Sequence, residues 1–460
     1  MIPILTPAEM AEVDAAAAEP VEVLIERAGF AVARSALALM GGAYGRRVVV
    51  IAGPGNNGRD GAVAGRLLAR RGAAVIVREA SDPGSIPPCD LVIDAAYGTG
   101  FRGSYTAPDV GGAPVLAVDI PSGVDGLTGL ASGRPAAAVA TTTFAALKPG
   151  LLFADGAALS GPVTVADIGL EPLPHQDGLA GLVETSDLAV WVRRRPTDAH
   201  KWKSAVWIVG GSAEMTGAPV LSASGALAAG AGYVRLSAPG LAPLGRAPIE
   251  AVFHPLAMVG WHRTVLAESE RISALVVGPG LGRNDSVRDE VAALATSSPL
   301  PVVVDGDGLW AISDLRGRMS EAPRVLTPHD GEYLQLTGRP VGADRIAAAR
   351  RLAAERSAVV LLKGPTTVIA EPRGRVRLVR AGDERLASAG TGDVLSGIVG
   401  ALLAAGADPF DAAAAGAQVH GLAGRACPVV GTTASQLPAA VSAVLSKVVT
   451  EHGGSAEAGR

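Results

Sequence analysis

The most regular signal along the chain is a short β-branched run that ends in glycine, aspartate or serine and gives way to an alanine-rich, helically patterned stretch. RRVVVIAG (46–53) is the first such run, followed by GAVAGRLLARRG; AAVIVRE, CDLVIDAAYGTG and APVLAVDIPSG repeat the theme. Continuous apolar runs are strands buried on both faces, and their alternation with helices predicts a parallel sheet covered on both sides. Ahead of them, residues 1–44 read as helix, with Val21, Leu24, Ile25, Ala28 and Val32 at helical spacing. A looser stretch over 169–199, with Pro172, Pro174, His175, Gln176, an arginine triplet at 193–195 and Pro196, marks an inter-domain boundary. From Ala205 the alternation restarts with AVWIVGG, SALVVGPG, PVVVDGDG, RVLTPHDGE, AVVLLKG and TTVIA, and closes with an alanine- and glycine-rich helical region after Asp393. The pattern predicts an α/β chain of two domains, over 1–175 and 190–450, with HGGSAEAGR as a disordered tail.

Composition narrows the class. With 460 residues, two or three domains of roughly 150 residues are the prior. Hydrophobic residues make up 48% and charged ones 18%, a globular balance. A net charge of −4 argues against a nucleic-acid-binding surface. No apolar stretch is long enough and free enough of charge to span a membrane, and the start, MIPILTPAEMAEVD, has no basic segment and is not expected to be a signal peptide. The two cysteines, Cys89 and Cys427, form no CxxC pair, which fits a reducing cytoplasm. Lysine is scarce, confined to Lys148, Lys201, Lys203, Lys363 and Lys447, and none of them follows a glycine. That excludes a Walker A loop, whereas 59 glycines leave ample backbone for approaching phosphate.

In the N-terminal half, Gly53-Pro-Gly55-Asn56-Asn57-Gly58 matches GxGxxG between a strand and a helix, and Glu79 follows at the end of the next strand. Alone this is a dinucleotide-type fingerprint, or simply a tight strand-to-helix turn. Asn56, Asn57 and Asp60 add side chains that the fingerprint does not require. Asp94 and Asp119 each end a strand, followed by Gly98-Thr99-Gly100 and Pro121-Ser122-Gly123. Carboxylate, amide and hydroxyl oxygens without His or Cys suit a hard cation.

GPGNNGRDG, DAAYGTG, VDIPSGVDG and TFAALKPG, with the early LIERAGFAVARSAL, resemble the NAD(P)H-hydrate epimerase domain family over roughly 1–170. The resemblance implies a Rossmann-like fold in which Asn56, Asn57, Gly58, Arg59 and Asp60, the loop Gly98, Thr99, Gly100, Phe101, Arg102, Gly103 and Ser104, and Asp119 contact a hydrated nicotinamide nucleotide. It also implies K⁺ held by Asn57, Asp94 and Ser122. Asp119 is the candidate acid or base and Lys148 its candidate partner. The family pattern NNGGD is broken by Arg59, which either clasps phosphate or points to solvent.

In the C-terminal half, Ser388-Ala-Gly-Thr-Gly-Asp393-Val-Leu-Ser-Gly397 runs into an apolar helix. Backbone N–H groups at a helix N-terminus make an anion hole, and Asp393 in the first turn is placed to meet an approaching hydroxyl. This arrangement resembles the ribokinase-like superfamily. Together with DAHKWKSAVWIVGGSAEMTGAP, GPGLGR, VVVDGDGLW, LTPHDGEYLQL and LLKGPTTVI, it resembles the ADP-dependent NAD(P)H-hydrate dehydratase family over roughly 190–447. The resemblance implies that Lys363, Gly364, Pro365, Thr366 and Thr367, with Ala389, Gly390, Thr391 and Gly392, contact ADP. Gly217, Ala218, Gly280, His329 and Asp393 would face the hydrated nucleotide, with Mg²⁺ alongside ADP. Two departures stand beside this site: Lys201-Trp-Lys203-Ser-Ala205 where the family shows KGxxG, and Trp310 where it shows asparagine.

The expected architecture is therefore two three-layer α/β domains, Rossmann-like then ribokinase-like. The expected function is repair of hydrated NAD(P)H, epimerising R and S forms and dehydrating the S form with ADP. A small-molecule kinase fused to a non-catalytic nucleotide-binding domain is the alternative. The expected partners are small molecules, with neither nucleic acid nor membrane, in a homo-oligomer by analogy.

Overall fold

The computed structural model describes residues 1–452 except Pro83, Asp177, Arg193 and Arg318. Residues 453–460 of the expected tail and Arg193 of the arginine triplet thus lie outside the described residues. The chain forms two compact units, Ile2–Ala180 and, with Met1, the chain from Gly181 onward. Among the described residues no helix is long and apolar enough to cross a membrane.

In the first unit the expected helical start is two helices, α1 (Pro7–Ala15) and α2 (Val21–Met40). A capping box between Thr6 and Glu9 starts α1. Pro20, which cannot supply an interior helix N–H, stands at the start of α2, and left-handed Gly41 ends it. The strand-helix alternation continues as β1 (Arg47–Ala52), α3 (Asn56–Ala69), β2 (Ala74–Glu79), β3 (Leu91–Ala95), β4 (Val115–Val118), β5 (Ala140–Phe144) and β6 (Val163–Ala166). These six strands pair in parallel in the order β2-β1-β3-β4-β5-β6. Alternate residues feed two cores: Leu91, Ile93 and Ala95 pack with α2 residues on one face, while Val92 packs with Ile51 and Val115 on the other.

The order reverses between β1 and β3, because β2 lies on the outer side of β1. Such a switch point leaves a crevice at the carboxyl ends of the strands. The Gly53 turn and the Ala96 backbone meet there so closely that a Cβ on Gly53 would lie 1.7 Å from the Ala96 carbonyl oxygen.

The second unit contains β7 (Ala205–Val209), α4 (Gly217–Ala228), β8 (Tyr233–Ser237), β9 (Ala251–Phe253), β10 (Ala274–Val277), α5 (Asp285–Ser297), β11 (Val302–Val304), β12 (Arg324–Leu326), α6 (Asp330–Thr337), α7 (Arg345–Arg356), β13 (Val359–Leu362), β14 (Thr367–Ala370), β15 (Val376–Val379), α8 (Thr391–Ala404), α9 (Pro409–Ala426) and α10 (Leu437–His452). Its strands follow the order β9-β8-β7-β10-β11-β12-β13-β14-β15, parallel up to β13 and antiparallel across β14 and β15. The apolar run after Asp393 is α8 followed by α9, separated at Asp408, whose side chain caps α9. α8 lies unusually close to α4: a Cβ on Gly397 would sit 1.9 Å from the Ser222 carbonyl oxygen, and one on Gly225 2.3 Å from that of Val394. This contact fixes where the α8 N-terminus points.

Candidate functional sites

The crevice of the first unit is a cavity of about 600 Å³, walled by Asn56, Asn57 and Asp60 of α3, by Gly98, Thr99, Gly100 and Phe101, and by Asp119 and Lys148. Asp119 follows β4 with a positive φ of 68°, a conformation uncommon outside glycine and the short polar residues. That turn presents its carboxylate to the Lys148 ammonium at 2.9 Å, to the Thr99 N–H at 3.0 Å and to the Thr143 hydroxyl at 3.1 Å. Lys148 is almost fully buried and also donates to Thr143 Oγ1 and the Phe144 carbonyl. Burial opposes the charge on Asp119, but Lys148 and the other donors outweigh it and hold the carboxyl below its usual range.

Asp94 and Ser122 lie together one layer deeper. The Ser122 hydroxyl donates to Asp94 Oδ1 at 2.7 Å and its N–H to Oδ2 at 2.9 Å, while burial pushes the Asp94 carboxyl up. The Asn57 amide nitrogen is buried with no hydrogen-bond partner among the described residues. Arg59, half exposed, does not line the cavity: it donates to Asn56 Oδ1 and Glu22 Oε1 at 3.3 and 3.4 Å. Gly58 packs against the Gly53 backbone rather than lining the cavity. Arg102, Gly103 and Ser104 do not line it either; Arg102 turns back onto the Thr99 and Phe101 carbonyls. Glu79 is exposed and apart from the crevice. The N-terminal segment supplies walls that the motifs did not mark, including Met10, Asp14 and Glu19.

The second site gathers at the carboxyl ends of β7, β10, β11, β12 and β13. Lys363, just past β13, pairs with Asp305 Oδ1 at 3.1 Å and Glu332 Oε2 at 3.4 Å. Burial works against the ammonium, yet the two carboxylates prevail and raise it. Thr327 donates to Asp305 at 2.7 Å. Asp393, in the first turn of α8, has no hydrogen bond on its carboxyl among the described residues; burial, then repulsion from Asp305, pushes it up to about 7 against the pull of Lys363. Gly280, after β10, lies against Ala218 and the Met215 carbonyl at the start of α4, so Gly217, Ala218 and Gly280 form one wall. His329 caps α6: its Nδ1 accepts from the Gly331 and Glu332 N–H groups at 3.0 and 3.3 Å.

A cavity of about 720 Å³ beside the α8 N-terminus is lined by Lys363, Gly364, Pro365, Thr367, Thr391 and Gly392. Thr366 is buried behind it, and Ala389 and Gly390 lie in the turn that enters α8. His420 of α9 also lines it; burial pushes the ring down to about 4, so it is neutral. Asp305, Glu332 and His420 were not singled out from the sequence, although Asp305 ends a strand as Asp94 and Asp119 do. The two departures face elsewhere: Trp310 lies beneath the Arg288 guanidinium at 4.3 Å, and Trp202 packs on Tyr233 at 4.5 Å beside Lys201. Among the described residues no group of three or more His, Cys, Asp or Glu is disposed to hold a metal.

Residues 206–446 match the NAD(P)H-hydrate dehydratase family, and residues 21–86 and 78–150 match the family described as YjeF-related protein N-terminus. A bifunctional NAD(P)H-hydrate repair enzyme of Mycobacterium tuberculosis is 38% identical over 445 residues, covering 88% of this chain and 89% of its own. The chain belongs to the bifunctional NAD(P)H-hydrate repair enzyme family. The Thermofilum pendens member is likewise 38% identical, over 460 residues, at 88% and 87% coverage. The family's dehydratase half also has solved relatives. An ADP/ATP-dependent NAD(P)H-hydrate dehydratase from Bacillus subtilis, co-crystallized with ATP and Mg²⁺, is 27% identical with a TM-score of 0.53 over 58% of this chain and 97% of its own. A ribokinase-like superfamily protein from Enterococcus faecalis shares the fold at 22% identity and a TM-score of 0.53, over 59% and 97%.

Proposed function

We propose that this protein repairs hydrated NADH and NADPH in the cytoplasm, the 1–175 region interconverting the R and S hydrates and the 190–450 region dehydrating the S form with ADP. The observation that carries the reading is the pairing of two unlike aspartate sites, Asp119 held ionised against Lys148 and Asp393 poised near neutrality at a helix N-terminus. The hydrate carries a hydroxyl on the carbon beside the ring nitrogen, so both reactions begin with proton movement at one oxygen. Asp119 is the base for the first and Asp393 for the second.

In the first site the oxygen set of Asn57, Asp94 and Ser122 fits K⁺, a hard cation, and the buried Asp94 carboxylate with the Ser122 hydroxyl on its Oδ1 supports that fit. A bound K⁺ would supply positive charge for the nucleotide and order the Gly98 loop. In the second site Lys363 to Thr367 and the α8 turn from Ala389 to Gly392 would hold ADP, with Mg²⁺ carried on its phosphates. When bound, ADP supplies a phosphate that makes the substrate hydroxyl a better leaving group. The α8 N–H groups offset the charge there, Asp393 accepts the hydroxyl proton, and Gly217, Ala218 and Gly280, with His329, orient the nicotinamide.

The test mixes purified protein with both hydrate epimers, K⁺, Mg²⁺ and ADP, and follows reduced nucleotide by absorbance and the epimers by chromatography. Recovery of both epimers is expected. Recovery of neither, with phosphate transferred from ATP to a free alcohol instead, would establish the kinase alternative. Asp119→Ala should abolish interconversion and spare dehydration, and Asp393→Ala the reverse; equal loss of both activities in either variant would contradict the division of labour.

A further inference from the structure

Asp60 is a buried acid that the Asp119–Lys148 pair leaves unused. It stands one turn into α3, 7% exposed, on the wall of the cavity that also holds Asp119 and Lys148. Among the described residues nothing hydrogen-bonds to its carboxyl. An unpaired carboxylate at such a place is costly, so the group keeps its proton. Burial first, and then the negative charge of Asp119, push it up to about 8.

The charged neighbours reinforce this. Asp14 and Glu19 from the N-terminal segment are acidic, and Lys148 is committed to Asp119. Arg59, on the same helix, pulls the other way but is engaged by Glu22 and Asn56. At neutral pH one cavity therefore holds an ionised Asp119 and a protonated Asp60. Two carboxyls driven apart by their surroundings divide the roles of base and acid.

We propose that Asp60 is the general acid of the epimerisation, delivering its proton to the substrate's ring nitrogen while Asp119 removes the hydroxyl proton. The proposal rests on the epimerase reading above. In the step, Asp119 takes the proton from the hydroxyl, and the electrons of that O–H bond form the aldehyde C=O. The carbon–nitrogen bond breaks with its electron pair going to the ring nitrogen, which receives the Asp60 proton. Rotation of the aldehyde exposes its other face. Reclosure runs backwards: Asp60 recovers the N–H proton as nitrogen attacks the carbonyl, and Asp119 returns its proton to the oxygen. No other reactant is needed.

Asp60→Asn keeps the shape and removes the proton. Interconversion of the hydrates, measured by chromatography without ADP, should lose about 100-fold in kcat with KM within about twofold. The wild-type rate should decline above a pH of about 8, and that decline should vanish in the variant. Asp60→Glu should restore part of the rate and its own alkaline limb. Dehydration of the S hydrate with ADP should be unchanged in both. If the wild type does not interconvert the epimers, the epimerase reading itself falls. If it does, and Asp60→Asn retains either the wild-type rate or the decline near pH 8, the acid role is overturned while the reading stands. Should the Asn variant fail to fold, Asp60→Glu decides: an alkaline limb unmoved from the wild-type position would overturn the role.

Discussion

Asp119, on a cavity wall of the first unit, and Asp393, in the first turn of α8, are the same kind of residue and each feels a nearby lysine, yet their surroundings drive them apart. In the first unit Lys148 spends its charge on Asp119 directly, at 2.9 Å, and Thr99 and Thr143 complete the set of donors. In the second unit Lys363 is held by Asp305 and Glu332, so its pull on Asp393 is partial and burial prevails. One site keeps a carboxylate charged at all physiological pH; the other keeps it near the midpoint of its titration. Proximity of a lysine does not set a carboxyl's state. What matters is whether that lysine has other partners.

The sharpest way to break this contrast is to remove each carboxylate without changing its shape. Asp393→Asn should lower dehydration by about 1,000-fold, within the range for a lost general base, and leave epimerisation untouched. Recovery of reduced nucleotide from the pure S form reads it directly. Lys148→Met comes next. Removing one partner of this buried pair should cost about 3 kcal/mol of stability, visible as a lower urea midpoint. Epimerisation at pH 7 should also fall about 100-fold as burial raises Asp119.

The pH profiles sharpen the comparison without mutation. Because Asp393 is raised and acts ionised, dehydration should rise about tenfold per pH unit below its midpoint near 7 and then level off. Because Asp119 is lowered, epimerisation should stay level on the acid side of neutrality. Coincident profiles would show that the two aspartates do not differ as described. The smallest effect is expected at Arg59: its exposed contacts with Glu22 and Asn56 predict that Arg59→Gly shifts stability through helix propensity by about 1 kcal/mol and activity by no more than about twofold. A loss of 100-fold there would return Arg59 to the site.

The strand-helix alternation, the strand-end positions of Gly53, Asp94, Asp119 and Lys363, and the turn before Asp393 were all legible in the sequence, because local periodicity and turn chemistry are short-range properties. The break between α1 and α2 was missed although Pro20 signals it, since alanine-rich flanks on both sides share one apolar pattern. Arg59 was ambiguous because its partner, Glu22, comes from another helix. Trp310 sits within a site motif, yet its ring packs on Arg288 of α5.

By itself, then, the sequence determined the two α/β domains, the family, and which residues stand at strand ends and helix starts. Only the tertiary structure decided the protonation of those residues. Asp60, Asp119 and Asp393 differ in burial and in the partners brought to them by distant segments, and the energy of a buried charge depends on those partners rather than on its neighbours in the chain.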